Sequence, residues 1–104
     1  VPVSDESSRL AVRLVRATRP TDPFAPEAVR NYVKFGASVR ATMFLLLSAK
    51  ARALLEGRYH VTEADLRALA LPVLRHRVLT NYQAESSGQS VDDVLRSLLE
   101  AHAR

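Results

Sequence analysis

Ser38-Val39-Arg40-Ala41-Thr42-Met43-Phe44-Leu45-Leu46-Leu47-Ser48-Ala49-Lys50-Ala51-Arg52-Ala53-Leu54-Leu55-Glu56-Gly57 reads as one long helix, and it decides the fold. Ala, Leu, Met, Lys and Arg dominate it, all strong helix formers, and no Pro interrupts it. Ser38 is the candidate N-cap of a helix from about Val39 to Glu56, and Gly57 is the residue that ends it. From Met43 to Leu47 the helix is apolar nearly all round. That pattern predicts a central, most buried element.

Upstream, Phe35-Gly36-Ala37-Ser38 breaks the helical pattern. A short helix from roughly Pro26 to Val33 precedes it, with Pro26 in its first turn and Val29, Tyr32 and Val33 toward the core. Pro20, Pro23 and Pro26 stand three apart, which no helix tolerates, so they form a rigid loop with Phe24 as its anchor. The first helix spans about Asp5 to Thr18, capped by Ser4, with Asp5 and Glu6 in its first turn. Leu10, Leu14 and Ala17 line one face; Arg9, Arg13 and Arg16 line another.

Downstream, Thr62 and Asp65 make a weak capping box at the start of the next helix. Leu66, Leu69, Ala70, Val73 and Leu74 follow at helical spacing, and Pro72 is expected to kink or split that helix near Ala70. The second piece carries Arg75-His76-Arg77 and runs to about Tyr82. Ser86-Ser87-Gly88-Gln89 is a loop, and Ser90 caps a last helix whose apolar stripe is Val91, Val94, Leu95, Leu98 and Leu99. Hairpin dipeptides are absent, so the chain reads as all-α: a small bundle of about five helices with a Pro-rich loop after the first.

Composition narrows the function. The 104 residues, 47% hydrophobic, suit one domain. There is no Cys, which excludes disulfides and thiolate metal sites. No apolar run approaches the ~18–20 residues of a membrane helix, and no membrane partner is expected. His60, His76 and His102 lie far apart without metal-ligand spacing, so no metal is expected. Charge is uneven: residues 9–58 carry +7, residues 1–8 carry −2 and residues 59–104 carry −1. An anionic partner should therefore meet the first half. A small basic helical DNA-binding module is one reading of that charge, since the Val61–Asp65 helix start superficially resembles histone-fold proteins. Against it, the Pro-rich loop interrupts the basic residues and the later half is slightly acidic.

Gly36-Ala37-Ser38-Val39-Arg40-Ala41 is the candidate site. A small-residue turn opens into a helix whose first amides lack partners, which suits an anion. Arg40 stands in the first turn, where its charge opposes the macrodipole unless an anion sits between them. From local physics alone, Arg40 can equally pair with an acid elsewhere or point to water.

Tyr32-Val33-Lys34-Phe35-Gly36-Ala37-Ser38-Val39-Arg40-Ala41-Thr42 resembles the sensor 2 segment in the C-terminal lid of MoxR-type AAA+ ATPases. Leu14-Val15-Arg16-Ala17-Thr18-Arg19-Pro20 is similar to the first lid helix and its exit. Ala49 to Arg58 is similar to the family's long helix and its end. Val73-Leu74-Arg75-His76-Arg77, Asn81-Tyr82-Gln83-Ala84-Glu85 and Val91-Asp92-Asp93-Val94 resemble its later blocks in order. One departure is Val39, where members often carry Pro.

The resemblance implies that residues 1–104 are a single helical lid from a longer ATPase, without its α/β nucleotide-binding core. It implies Arg40 as the sensor 2 residue, catalytic only with that core, and Gly36, Ala37 and Ser38 as the turn beside the nucleotide. It also implies ATP and Mg²⁺ held through the core, a ring of neighbouring subunits, a cytoplasmic setting, and client remodelling, often with von Willebrand A-domain proteins. Nucleic acid is not expected. No G-x-x-x-x-G-K-[ST] loop occurs, so the chain alone is not expected to be an enzyme. His76 and Arg77 read either as a helix-end pair or as a contact to a neighbouring subunit.

Overall fold

A computed structural model describes residues 2–102. The chain folds as α1 (Asp5–Ala17), α2 (Glu27–Tyr32), β1 (Val33–Phe35), α3 (Arg40–Leu55), α4 (Glu63–Leu74), β2 (Leu79–Thr80), α5 (Tyr82–Ser86) and α6 (Val91–Ala101). Helix dominates, as the residue pattern predicts, but the described residues hold six helices and a two-stranded ribbon.

Caps set most helix starts. The Ser4 hydroxyl accepts from the Ser7 amide at 3.0 Å. Thr62–Asp65 and Ser90–Asp93 form reciprocal capping boxes at α4 and α6, so Asp serves where Glu or Gln is the commoner partner. Gly57, at φ +76°, lets α3 end in a Schellman turn: the Arg58 amide bonds the Ala53 carbonyl and the Gly57 amide that of Leu54.

The core is built from Leu10 and Leu14 of α1, Val29 of α2, Leu45 of α3, Leu66 and Leu74 of α4, and Leu95 and Leu98 of α6. α1 packs against α3, α4 and α6, while α2 packs against α5 and α6.

α3 is not the central element that its apolar sequence predicts. It buries only Ala41, Leu45, Ala49 and Ala53, one row of residues four apart. Three of these four are Ala, so α4 lies close along that row. Val39 (74% exposed), Met43 (68%), Phe44 and Leu47 face outward, and Leu46 is only partly buried. Nor does Ser38 cap α3: the cap position is Val39, and no side-chain cap bond is made.

Three further expectations need correction. Pro72 does not split α4, which runs through it to Leu74. Its missing amide falls in the last turn, where a single bond is lost before the helix ends. The predicted helical piece to Tyr82 is instead a turn, β2 and the start of α5. β1 and β2 pair antiparallel, Val33 opposite Thr80 and Phe35 opposite Leu79. Their partners are remote in sequence, so no hairpin signature announces them. Asn81 then ties the ribbon to α2, its amide bonding the Tyr32 carbonyl and its side-chain NH₂ that of Asn31. Finally, Phe24 is an exposed cover more than an anchor: the Arg16 guanidinium lies over its ring and His102 meets it edge-on.

Candidate functional site

The turn before α3 is fixed by α1. The Thr18 hydroxyl donates to the Val15 carbonyl at 2.6 Å and accepts from the Ala37 amide at 2.9 Å. Arg19 Nε donates to the Ala37 carbonyl at 3.1 Å. Ala37 is buried with both backbone groups occupied, so its amide is committed to the protein. Gly36 is required by contact: a Cβ there would stand 2.5 Å from the Thr18 carbonyl oxygen. The resemblance implies Gly36, Ala37 and Ser38 as the turn beside the nucleotide; the structure shows in addition that Gly36 and Ala37 pack on Thr18 and Arg19 and anchor the helix start.

The groups left facing outward are Ser38, Val39 and Arg40, all exposed. Intrahelical bonding starts with the Ala41 amide on the Ser38 carbonyl and the Thr42 amide on that of Val39. Among the described residues, the amides of Ser38, Val39 and Arg40 have no backbone acceptor, and the Arg40 side chain forms no hydrogen bond or ion pair.

Beside them lies an open hollow of about 370 Å³, lined by Val39, Arg40, Met43, Phe44 and Leu47. A neighbouring hollow of about 460 Å³ adds Thr42, Leu46 and Lys50. Arg40 and Lys50 are the charged side chains lining the two hollows; no acid lines either. Together the two hollows expose a contiguous apolar face along α3. Arg77 borders it: its guanidinium carbon sits 4.5 Å from the Phe44 ring centroid, and Nη1 donates to the Val73 carbonyl at 2.8 Å. That is the helix-end arrangement for Arg77, favoured by the dipole. His76 is exposed.

A second charged cluster escapes sequence reasoning. Asp65 is fully buried and accepts from Arg52 Nη1 at 2.6 Å, Arg58 Nη1 at 2.7 Å and the Thr62 amide at 2.8 Å. Glu56 joins through Arg52 and Arg58, each near 3.3 Å or closer. The Arg58 hydrogen bonds, then the Thr62 amide and Arg52, hold the Asp65 carboxyl well below the usual carboxylate range against its burial. The same contacts raise Arg58. The signal was present as a capping-box Asp followed in space by the residue after Gly57, but only the fold joins them. This cluster clasps the end of α3 to the start of α4.

Much of the basic charge in residues 9–58 is thus committed internally. Arg16 pairs with Asp22 at 2.9 Å, Arg19 and Arg30 bond backbone carbonyls, and Arg52 and Arg58 bond Asp65. Asp22 is itself held below its ordinary range, first by the Phe24 amide and then by Arg16. No group of three or more His, Asp or Glu able to hold a metal occurs among the described residues. No helix there is long and apolar enough to cross a membrane.

The described residues form a small helical bundle whose long helix opens from a packed turn onto Arg40, with a bare apolar face beside it. Residues 25–98 match the AAA lid domain family, and the chain belongs to that family, as a lid of MoxR type. It is 35% identical over 92 residues to chaperone MoxR1 of Mycobacterium tuberculosis, covering 88% of this chain and 24% of that protein. It is 38% identical over 74 residues to protein MoxR of Methylorubrum extorquens, covering 70% and 22% respectively. A crystal structure from Cytophaga hutchinsonii, provisionally described as an ATPase, superposes with a TM-score of 0.89 at 34% identity, over 97% of this chain and 31% of that one. The chain spans about a quarter of the length of the curated relatives it matches.

Proposed function

We propose that this chain is the nucleotide-sensing lid of a cytoplasmic MoxR-type AAA+ ATPase, which couples ATP hydrolysis to the remodelling or maturation of client proteins. The observation that carries the reading is Arg40: an exposed guanidinium without a counter-ion, in the first turn of a helix whose leading amides are open, at the rim of an uncovered apolar face. Each feature lacks a partner, and an α/β core with bound nucleotide supplies both an anion and an apolar surface. ATP and Mg²⁺ would be held by that core, where the metal ion offsets phosphate charge. On the lid, the Arg40 fork is suited to phosphate oxygens in a way a Lys point charge is not. The Ser38–Arg40 amides add the positive end of the α3 dipole.

Loss of the terminal phosphate removes a contact that favours the closed lid, so hydrolysis biases a two-state lid–core geometry. The turn is stiffly held by Thr18 and Gly36, so movement at Arg40 is passed to the whole domain. In a ring, the outward face of α3 and the Arg75–Arg77 turn are the surfaces available to the core and the neighbouring subunit. Von Willebrand A-domain proteins are the partner class to test first. The chaperone name of the Mycobacterium relative fits client remodelling.

The experiment is Arg40→Ala. In the 104-residue chain it should leave stability within ~0.5 kcal/mol, since nothing in the fold pairs with it. In the full-length ATPase it should lower hydrolysis ~10-fold or more, because such an Arg acts on charge developing in the transition state. Unchanged hydrolysis, with a lid that unfolds, makes Arg40 structural and ends the sensor reading.

A further inference from the structure

We infer that the α1 face bearing Arg9, Arg13 and Arg16 is a docking surface for a short acidic segment of a partner protein, with one apolar side chain of that segment seated against Val12 and Phe24. These residues and Ser8 line an open hollow of about 390 Å³, and no acid lines it. It shares no residue with the two hollows along α3, so the inference stands apart from the reading of Arg40.

Two features distinguish this face from an ordinary solvated one. Val12 is the exposed exception among the apolar residues of α1: Leu10, Ala11, Leu14, Val15 and Ala17 are buried, while Val12 is 44% exposed. The Phe24 wall is also held in place before any partner arrives. The Phe24 amide donates to Asp22 Oδ1 at 2.9 Å, and His102 Nε2 donates to the Phe24 carbonyl at 2.8 Å. The Arg16 guanidinium carbon lies 4.9 Å from the Phe24 ring centroid. Asp22 fixes Arg16 in turn, yet the Arg16 side chain is 46% exposed against 12% for Asp22, so the cation is the accessible half of that pair. Arg9 Nε donates to the Asp5 carbonyl of its own helix, and Arg9 has no carboxylate partner among the described residues. A carboxylate brought to this face therefore meets accessible cations beside an aromatic wall that is already ordered.

Arg9 and Arg16 are about two helical turns, or ~10 Å, apart along α1. A short segment reaches both, with carboxylates one turn to either side of its apolar residue. The surroundings favour a peptide over a nucleic acid. Asp5, Glu6 and Glu63 line the adjoining hollow with Arg9, Leu10 and Arg13. Those carboxylates repel a continuous phosphate backbone that tracks along α1, and phosphates make no use of Val12.

The probe is a capped peptide of about twelve residues, one central Leu with Glu three and four residues to either side in an Ala and Gln background. It is titrated into the 104-residue chain and followed by amide NMR shifts. The shifts should gather on Arg9, Val12, Arg13 and Phe24, and binding should weaken ~3-fold or more between about 50 and 300 mM salt. Arg9→Glu should weaken it ~5-fold or more, and Val12→Ser ~3–10-fold through the lost apolar contact. Arg96→Glu on α6 should leave it within ~2-fold. The same peptide with Lys for Glu should not bind. Shifts spread evenly over the cations of the chain, no shift at roughly millimolar peptide, or equal binding of the Lys peptide overturns the inference. So does an oligothymidylate of matching charge that moves the same amides more strongly, which makes the face a nucleic-acid surface. If a variant fails to fold, the salt series and the Lys peptide on the unaltered chain decide the outcome.

Discussion

Asp65→Asn tests the energetics of the fold at its most exposed assumption, that a buried carboxylate clasps α3 to α4. The native carboxylate receives bonds from two guanidiniums, the Thr62 amide and the Thr62 hydroxyl, the last at 3.1 Å. Asn keeps the volume and one acceptor oxygen but loses the charge. A capping contact contributes ~1 kcal/mol, and hydrogen bonds to a charged group contribute ~1.5–3 kcal/mol. The guanidiniums retain access to water, with side chains 34% and 27% exposed, so once released they are partly rehydrated. The expected loss is therefore ~2–4 kcal/mol at pH 7, read by urea unfolding of the chain. The pH dependence carries its own sign. The native pKa of Asp65 is depressed, so its contribution is full above the unfolded value near 3.9 and fades as pH falls from about 5 toward the native value. The gap between the two proteins should accordingly narrow on going from pH 7 to pH 3. A gap under ~0.5 kcal/mol at pH 7, or one that does not narrow with acid, would falsify the clasp.

Leu45→Ala should cost ~2–5 kcal/mol because that side chain is fully buried; Met43→Ala, two residues away on the exposed face, should stay within ~0.5 kcal/mol. Equal losses in thermal or chemical unfolding would show that α3 buries both faces. Gly36→Ala should destabilise by ~1–3 kcal/mol, since the added methyl meets the backbone of Thr18 and Arg19, which cannot swing aside. Gly57→Ala should cost only about 1 kcal/mol, for its positive φ, because nothing stands within 4 Å of the added carbon. Denaturation midpoints that reverse this order would contradict the packed-turn account.

Local chemistry was legible at most helix ends, though not at Ser38, which does not cap α3. Ser4, Thr62 and Ser90 announce helix starts because a cap bonds three residues onward. Gly57 announces a stop because only the left-handed conformation closes that turn. What the residues could not announce is joined across the fold. Val33–Phe35 finds Leu79–Thr80 with neither flanked by a hairpin turn. Asp65 meets Arg52 from the preceding helix and Arg58 from the loop after it. Gly36 reads as part of a small-residue turn, but the atoms that require its smallness, those of Thr18 and Arg19, come from another helix's end. Arg40 was readable as an oddity, a cation at the positive end of a dipole, because that tension exists within a single turn.

The misreading of α3 has the most to say about function. Hydropathy records that a side chain is removed from water, but not by what. Met43 and Leu47 are as apolar as Leu45, and sequence alone assigns all three to one core. In the folded chain only Leu45 is covered. An apolar surface of this extent, with Arg40 and Lys50 beside it and no acid lining its hollows, is an odd ending for a helix that caps a self-sufficient bundle. It is the expected ending for a helix that belongs to two packings, one within the lid and one against a body the lid closes upon. Ala41, Leu45, Ala49 and Ala53 serve the first, and on the proposed reading the exposed Val39, Met43, Phe44 and Leu47 serve the second. Arg40 lines the hollow on that apolar side, so on the proposed reading the body that covers it also sets which anion Arg40 can reach.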